Sequence, residues 1–83
     1  MISSAQCRAA RALLNWTQDD LSKATGLSSV TIRAFEKGGE MRESNRNLLR
    51  LSFEKAGLIL IDADREGAGV RFRYPNGDGI PSV

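Results

Sequence analysis

The stretch from Thr17 to Gly38 constrains the fold most, because it holds two short helix signals separated by one turn signal. Thr17 is a candidate N-cap, and Asp20 stands where a carboxylate completes a capping box. Gly26 supplies the backbone freedom that a sharp turn requires. Ser28 can cap a second helix, which Gly38 can end. The pattern predicts two helices that meet at a tight turn.

Apolar side chains in the same stretch recur at helical spacing. We expect Leu21 and Ala24 to share one face of the first helix and Leu27 to pack in the turn. Ile32 and Phe35 have the spacing of one face of the second helix. Two helices crossed by a short glycine-containing turn form a helix-turn-helix, whose second helix can enter the major groove of DNA.

Another helix precedes this motif and is predicted from about Ser3 to Leu14, since Ser3 and Gln6 match a capping box. Cys7 lies in this helix and, as the single cysteine, cannot form an internal disulfide. We expect it to be a buried small hydrophobe rather than a redox group. The apolar stripe of this helix is predicted to be Ala5, Ala9, Ala12 and Leu13.

A last helix is predicted from about Asn45 to Ala56, with Ser44 at its start and Gly57 in a left-handed cap at its end. The inward positions of this helix are predicted to be Leu48, Leu49, Ser52, Phe53 and Ala56. The aromatic side chains expected in the core, rather than stacked on nucleic acid, are Trp16, Phe35 and Phe53.

The periodicity changes after this helix. Leu58–Ile61 is a short, partly β-branched apolar run, and a later run alternates apolar with basic residues. This alternation is typical of a strand. Its members are Val70, Arg71, Phe72, Arg73 and Tyr74. The polar segment from Asp62 to Gly69 is predicted to join the two strands as a hairpin loop.

The chain is therefore predicted to be mainly α, with four helices and a C-terminal two-stranded β-hairpin. Its 83 residues suit one small domain. Within it we expect a helix-turn-helix domain at residues 1–57, with the motif at 17–38. A hairpin appendage of the same domain follows at 58–74, and a flexible tail at 75–83.

Composition excludes several classes of function. The chain has no histidine and one cysteine, which excludes histidine-based catalysis and a metal cluster. It contains no Walker loop, dinucleotide-binding glycine turn or nucleophile elbow. We expect no enzymatic activity, no metal and no cofactor, and no small-molecule ligand is evident. Without a signal peptide or an apolar run of about 18 residues, the chain is predicted to be cytoplasmic and free of the membrane.

The charge of the chain is only mildly basic, with a net charge of +2 and a pI near 9.1. A phosphate-binding face therefore requires local clustering of basic residues. Such a cluster occurs between residues 28 and 50, where the basic residues are Arg33, Lys37, Arg42, Arg46 and Arg50. The acidic residues there are Glu36, Glu40 and Glu43.

Residues 8–38 resemble the phage-repressor-like helix-turn-helix family, also called Xre or Cro/C1. The shared pattern is Arg-x-x-Arg-x-Leu-Leu-x-Trp-Thr-Gln and, further on, Gly-Leu-Ser-x-x-Thr-Ile-x-x-Phe-Glu-x-Gly. The resemblance implies a four-helix lambda-repressor-like fold and a homodimer that regulates transcription. It also implies a recognition helix at about residues 28–37 in the major groove of a palindromic double-stranded operator. The strands resemble an appendage found in small bacterial regulators of this kind.

The resemblance also assigns roles to individual residues. The positions expected to read bases are Ser29, Val30 and Arg33. Arginine can donate two hydrogen bonds to guanine, and valine can contact the methyl group of thymine. Because some relatives carry longer polar side chains at the other two positions, Arg33 is expected to carry much of the direct specificity. The residues expected to contact the DNA backbone are Thr17, Gln18, Ser28, Thr31, Lys37, Arg42 and Arg46.

Further roles concern the attachment of the recognition helix. Gln18 is expected to brace this helix as well as to contact phosphate. Arg11 and Glu36 match a structural ion pair of the family, which ties the first helix to the end of the recognition helix. A partly buried charge needs such a partner. Arg8, one turn before Arg11, is expected to be solvated or near phosphate.

Two questions stay open at the level of sequence. The alternative function is a protein-interaction module, antiactivator or antitoxin-like, that keeps the fold and offers the hairpin edge to another chain. The homodimer could form through the C-terminal strands or through the last helix. The hairpin could instead simply cover the core of its own domain.

Overall fold

The computed structural model describes residues 1–75. The elements in chain order are α1 (Ser4–Leu14), α2 (Gln18–Thr25), α3 (Ser29–Glu36), α4 (Glu43–Lys55), β1 (Leu58–Ile61) and β2 (Gly69–Phe72). The predicted fold class, mainly helical with a C-terminal hairpin, is confirmed. Apart from Pro75, the tail predicted at 75–83 lies outside the described residues.

Hydroxyl side chains begin the first three helices, as the sequence predicts. Ser3 accepts a hydrogen bond from the backbone N–H of Gln6, and the Gln6 side chain accepts one in return from the Ser3 N–H. Thr17 and Asp20 form the same reciprocal box at the start of α2. Ser28 caps α3. Each cap satisfies N–H groups that the first turn of a helix leaves without partners.

The turn between α2 and α3 is built on Gly26, whose φ of 80° lies in the left-handed region. A side chain at this position would strain the backbone, so glycine sets the crossing of the two helices. Leu27 follows and packs against the core, as expected. The Ser22 hydroxyl donates to the carbonyl of Leu27 and ties the turn back to α2.

The core lies between the four helices and the hairpin. Its buried members outside α1 are Ile2, Leu21, Ile32, Phe35, Leu49, Phe53, Leu58 and Leu60. Trp16 packs against this cluster with its ring centroid 6.0 Å from that of Phe53. The expectation that Trp16, Phe35 and Phe53 are core residues is confirmed.

The apolar stripe predicted for α1 is wrong. Its members, Ala5, Ala9, Ala12 and Leu13, are all exposed. The face that α1 buries instead contains Gln6, Cys7 and Ala10. Gln6 can be buried because its side-chain amide donates to the carbonyls of Ile61 and Gly69, each at 2.9 Å. The buried face of α1 therefore holds a polar residue with its hydrogen bonds made beside Cys7 and Ala10, while Ala5, Ala9 and Ala12 face outward.

Two details predicted for the other helices also need correction. Ala24 does not share the buried face of α2, where Leu21 alone is buried. In α4 the helix begins at Glu43, before Ser44, and its N-cap Arg42 makes no side-chain cap bond.

The inward face of α4 is narrower than predicted. Leu49 and Phe53 are buried, Ser52 and Ala56 are half-buried, and Leu48 is exposed. Leu49 and Phe53 are four residues apart, so they share the face of α4 that packs against α2 and β1. Leu48, the neighbour of Leu49 in sequence, lies on another side of the helix and points outward.

The hairpin is antiparallel, and its register pairs Leu58 with Phe72 and Leu60 with Val70. These four side chains belong to the core cluster or pack against it. Strand β2 packs against α1, and β1 packs against α4. The second strand ends at Phe72, earlier than predicted, although the N–H of Arg73 still donates to the carbonyl of Gly57 at 2.8 Å. The hairpin therefore covers the core of its own domain.

Candidate nucleic-acid interface

Helix α3 divides its side chains between the core and the solvent. Ile32, Phe35 and Glu36 are buried. The exposed residues from α3 through its C-cap are Val30, Thr31, Arg33, Ala34 and Lys37. Of the three residues predicted to read bases, Val30 and Arg33 lie on this outer face, and Ser29 is half-buried at its edge. Within the described residues, the Arg33 guanidinium makes no ion pair or side-chain hydrogen bond, so its donors are available to a ligand.

The start of α3 presents two hydroxyl groups. The Thr31 N–H donates to Ser28 Oγ at 3.1 Å, and the Ser28 hydroxyl donates to Thr31 Oγ1 at 2.8 Å. The proton of the Thr31 hydroxyl stays available, since this hydroxyl is the acceptor in that bond. This end of the helix can therefore donate to a phosphate oxygen while its cap stays intact.

At the start of α2, Thr17 is exposed and Gln18 is half-buried. The Gln18 side-chain amide donates to Glu36 Oε1 at 2.9 Å. Gln18 thus braces the end of α3 and leaves its own carbonyl oxygen and second N–H for other contacts.

A carboxylate at the end of α3 joins the first three helices. Arg11 Nε donates to Glu36 Oε2 at 2.7 Å and Arg11 Nη2 to Glu36 Oε1 at 2.6 Å, a two-bond pair. The Glu36 side chain is only 4% exposed, against 21% for Arg11. The buried Cys7 thiol donates to Glu36 Oε2 at 3.2 Å. Arg11 and Glu36 are the pair that the family resemblance implied, and the thiol is a partner that sequence reasoning missed.

The electrostatics of this cluster favour ionised Glu36. Burial by itself would raise the pKa of Glu36, but hydrogen bonds from Arg11, Gln18 and Cys7, with the Arg11 charge, hold that pKa below its ordinary value. Burial, together with the hydrogen bond to Glu36 and its charge, raises the pKa of the Cys7 thiol far above its ordinary value. Cys7 is therefore a protonated donor and not a reactive thiolate.

Arg8 makes a second connection that sequence reasoning missed. Its Nη1 donates to the backbone carbonyl of Glu36, at the end of α3. A cation at a helix C-terminus satisfies a free carbonyl and complements the helix dipole. The signal was the spacing of Arg8 and Arg11, since residues three apart lie on the same side of a helix.

The basic residues that follow α3 fall into two groups. Lys37 and Arg42 are exposed. Arg46 is half-buried, donates from Nε and Nη2 to the carbonyl of Ile2 at 3.0 and 2.6 Å, and lies 5.5 Å over the Phe35 ring. Arg46 therefore fastens α4 to the start of the chain, and fewer of its donors are left for phosphate than the sequence suggested.

Gly39 sets the direction of the chain between α3 and Arg42. A Cβ atom at this position would lie 2.8 Å from the carbonyl oxygen of Ala34, and the Gly39 N–H already donates to that oxygen. The close approach requires glycine. It brings the loop back against the end of α3, between Lys37 at the C-cap of α3 and Arg42 at the N-cap of α4.

The described residues offer exposed positive charges and hydrogen-bond donors, which suit the binding of an anionic ligand. Among residues 1–75, no group of three or more His, Cys, Asp or Glu side chains is placed to hold a metal ion. The helices of that part of the chain are too short or too polar to cross a membrane.

Comparison with known proteins agrees with this geometry. The family model HTH_3, described as helix-turn-helix, matches residues 8–52, which is more than half of the chain. The match runs from within α1 through most of α4 and contains Arg11, Gln18 and Glu36. No curated protein was found to match the chain. The chain belongs to the helix-turn-helix family of phage-repressor-like, DNA-binding regulators.

Proposed function

We propose that the protein is a transcriptional regulator that binds a palindromic operator in double-stranded DNA, with α3 in the major groove. The observation that carries the proposal is the contrast between the two faces of α3. Its inner face is fixed to α1 and α2 through Glu36, and its outer face carries Arg33, which has no ion-pair partner among residues 1–75. A rigid helix with free donors can read base edges, because a groove contact requires fixed geometry.

Base reading is proposed for Ser29, Val30 and Arg33, with Arg33 as the donor to guanine. The contacts proposed with the DNA backbone are Thr17, Gln18, Ser28, Thr31, Lys37, Arg42 and Arg46. Since the side chains of Gln18 and Arg46 also hold α3 and α4 in place, we assign the main electrostatic contribution to Lys37 and Arg42. Backbone contacts of this kind supply affinity and register rather than sequence preference.

The regulator is proposed to act as a homodimer. One recognition helix reaches too few base pairs for selective binding in a genome, whereas two helices related by a two-fold axis can address half-sites one turn of DNA apart. We place the dimer contact on α4 rather than on the strands, because the inner hairpin face is covered by its own domain. The exposed Leu48 and Leu51 line an apolar groove of about 390 Å³, which also contains Trp16 and Ala56.

The experiment that tests the function is selection from a random duplex library with the full chain, followed by binding to the enriched sequence at several salt concentrations. We expect an inverted repeat and an affinity that falls steeply with salt. Enrichment of no sequence, with equal affinity for all duplexes, would contradict the proposal.

The apolar groove at Leu48 and Leu51 also favours a second candidate, a protein-interaction module that keeps the fold without reading DNA. This candidate predicts weak binding to every duplex in the same selection. The outcome of the selection therefore separates the two functions.

A further inference from the structure

The centre of the outer face of α3 is apolar. Val30 is 68% exposed, which makes it the most exposed large hydrophobic side chain among residues 1–75. Ala34, one helical turn further on, is also exposed and lies on the same side. The face offers a stripe of methyl groups where a helix that reads bases through amides or guanidinium groups would carry polar side chains.

The polar groups near this stripe are at its edges. Ser29 is half-buried, and the Thr31 oxygen already accepts a hydrogen bond from Ser28. Arg33, three residues after Val30, is the long polar side chain on this stretch of helix without a partner in the described part of the chain. The helix therefore presents an apolar centre with one flexible cation beside it.

In the major groove the C5-methyl group of thymine is the apolar feature of the base edges, and unmodified cytosine lacks it. A methyl group on C5 of cytosine occupies the corresponding place on the pyrimidine ring. We propose that Val30 and Ala34 make α3 a detector of C5-methylated pyrimidines, with Arg33 reading a guanine beside the methylated base. The detector accepts thymine and 5-methylcytosine alike.

This inference rests on the proposed function and names the base feature that α3 recognises. Burial of one methyl group against apolar side chains is worth about a fourfold change in affinity. Two half-sites in a dimer multiply that factor to roughly fifteenfold. An effect of this size is large enough to make binding depend on cytosine methylation of the site.

The first arm of the test uses the enriched duplex and replaces each thymine in turn with deoxyuridine, which removes the methyl group and keeps the base pair. We expect one or two positions in each half-site to lose about threefold to tenfold in affinity. A selected site at which no deoxyuridine lowers the affinity would overturn the inference but leave the proposed function standing. Failure to enrich any site would overturn both.

The second arm assigns the effect to Val30. In Val30→Ala the penalty for deoxyuridine should shrink to less than about twofold, because the partner of the methyl group is gone. Leu13→Ala, which truncates a 37% exposed leucine on α1, is the matched control and should keep the full penalty. A penalty that is unchanged in Val30→Ala would overturn the assignment. Helical circular dichroism checks that both variants fold.

The third arm separates the two sources of the methyl group. At the sensitive position, the T·A pair is replaced with C·G and then with 5-methylcytosine·G. The methylated pair should bind about threefold to tenfold more tightly than the unmethylated pair. Equal binding of the two would overturn the claim that 5-methylcytosine is accepted.

Discussion

The side chain of Glu36 connects three of the four helices. Its carboxylate accepts hydrogen bonds from Arg11 and Cys7 of α1 and from Gln18 of α2, while Arg8 holds its carbonyl. The partner Arg11 was predictable from the motif pattern. The contacts of the Cys7 thiol and Arg8 with Glu36 were not predicted, because the spacing of Arg8 and Arg11 shows only that they share one side of α1 and does not identify a partner nearly thirty positions away.

Loss of this carboxylate should be costly. Glu36→Ala leaves the Arg11 charge without its partner, and we expect the free energy of unfolding to fall by roughly 2–4 kcal/mol. Denaturant unfolding of Glu36→Ala, Arg11→Ala and the double variant measures the coupling. The loss in the double variant should be clearly smaller than the sum of the two single losses. Purely additive losses would show that the pair has no interaction energy.

The same carboxylate makes stability depend on pH. Because the pKa of Glu36 is held below its ordinary value of 4.5, the unfolded chain binds more protons at this site than the folded chain as the pH falls. The stabilisation is therefore present above about pH 4.5 and is lost as the pH falls through the lower, folded pKa. Glu36→Gln should flatten this acid limb in unfolding experiments. Glu66→Gln, at an exposed carboxylate in the hairpin loop, should follow the unmodified chain.

At the scale of the elements, the sequence predicts where a helix begins better than it predicts which side of the helix is buried. N-caps and capping boxes are local, so Ser3, Thr17 and Ser28 could be identified from residues within one turn. The buried face of α1 depends on what packs against it. Gln6 can be buried there because the hairpin, more than fifty residues away, presents two carbonyls to its amide. Residue types within the helix could not reveal this.

Loss of one positive charge should affect DNA binding differently when the charge lies on α3 and when it lies in the loop after α3. Arg33→Ala should cost about 1–3 kcal/mol per half-site on the enriched duplex and relax preference at one or two base positions. Competition binding against single-base variants measures this change. Arg65→Ala, at an exposed hairpin-loop arginine, is the control of equal charge. Retained preference in Arg33→Ala would reject its role in reading bases.

Arg42→Ala tests the backbone contacts. It should weaken binding to all duplexes by a similar factor and lower the slope of log affinity against log salt by about 0.9, the contribution of one phosphate contact. The measurement is a salt titration with both the enriched duplex and an unrelated one. A change confined to the enriched duplex would mean that Arg42 reads sequence instead.

At the scale of the whole molecule, the proposed homodimer requires an exposed apolar surface that contacts a second copy. Leu51 on α4 is 54% exposed and Ile61 on the hairpin is 40% exposed. Leu51→Lys should shift sedimentation from dimer to monomer and weaken operator binding at least tenfold, whereas Ile61→Lys should leave both unchanged. The opposite pattern would move the interface to the strands. Point substitutions suit this test better than removal of the hairpin, which would uncover Leu58 and Leu60.

The two hydrogen bonds from the Gln6 amide to the hairpin also decide when the fold can be completed during synthesis. A ribosome releases α1 before the hairpin, so the carbonyls of Ile61 and Gly69 that satisfy the Gln6 amide emerge more than fifty residues later. Until then, the emerging chain lacks the strands that cover the inner side of α1. The helix-turn-helix is therefore synthesised well before its scaffold is complete. Its final geometry is reached only after Gly69 has left the ribosome, and a product that stops short of Gly69 lacks the closing contact.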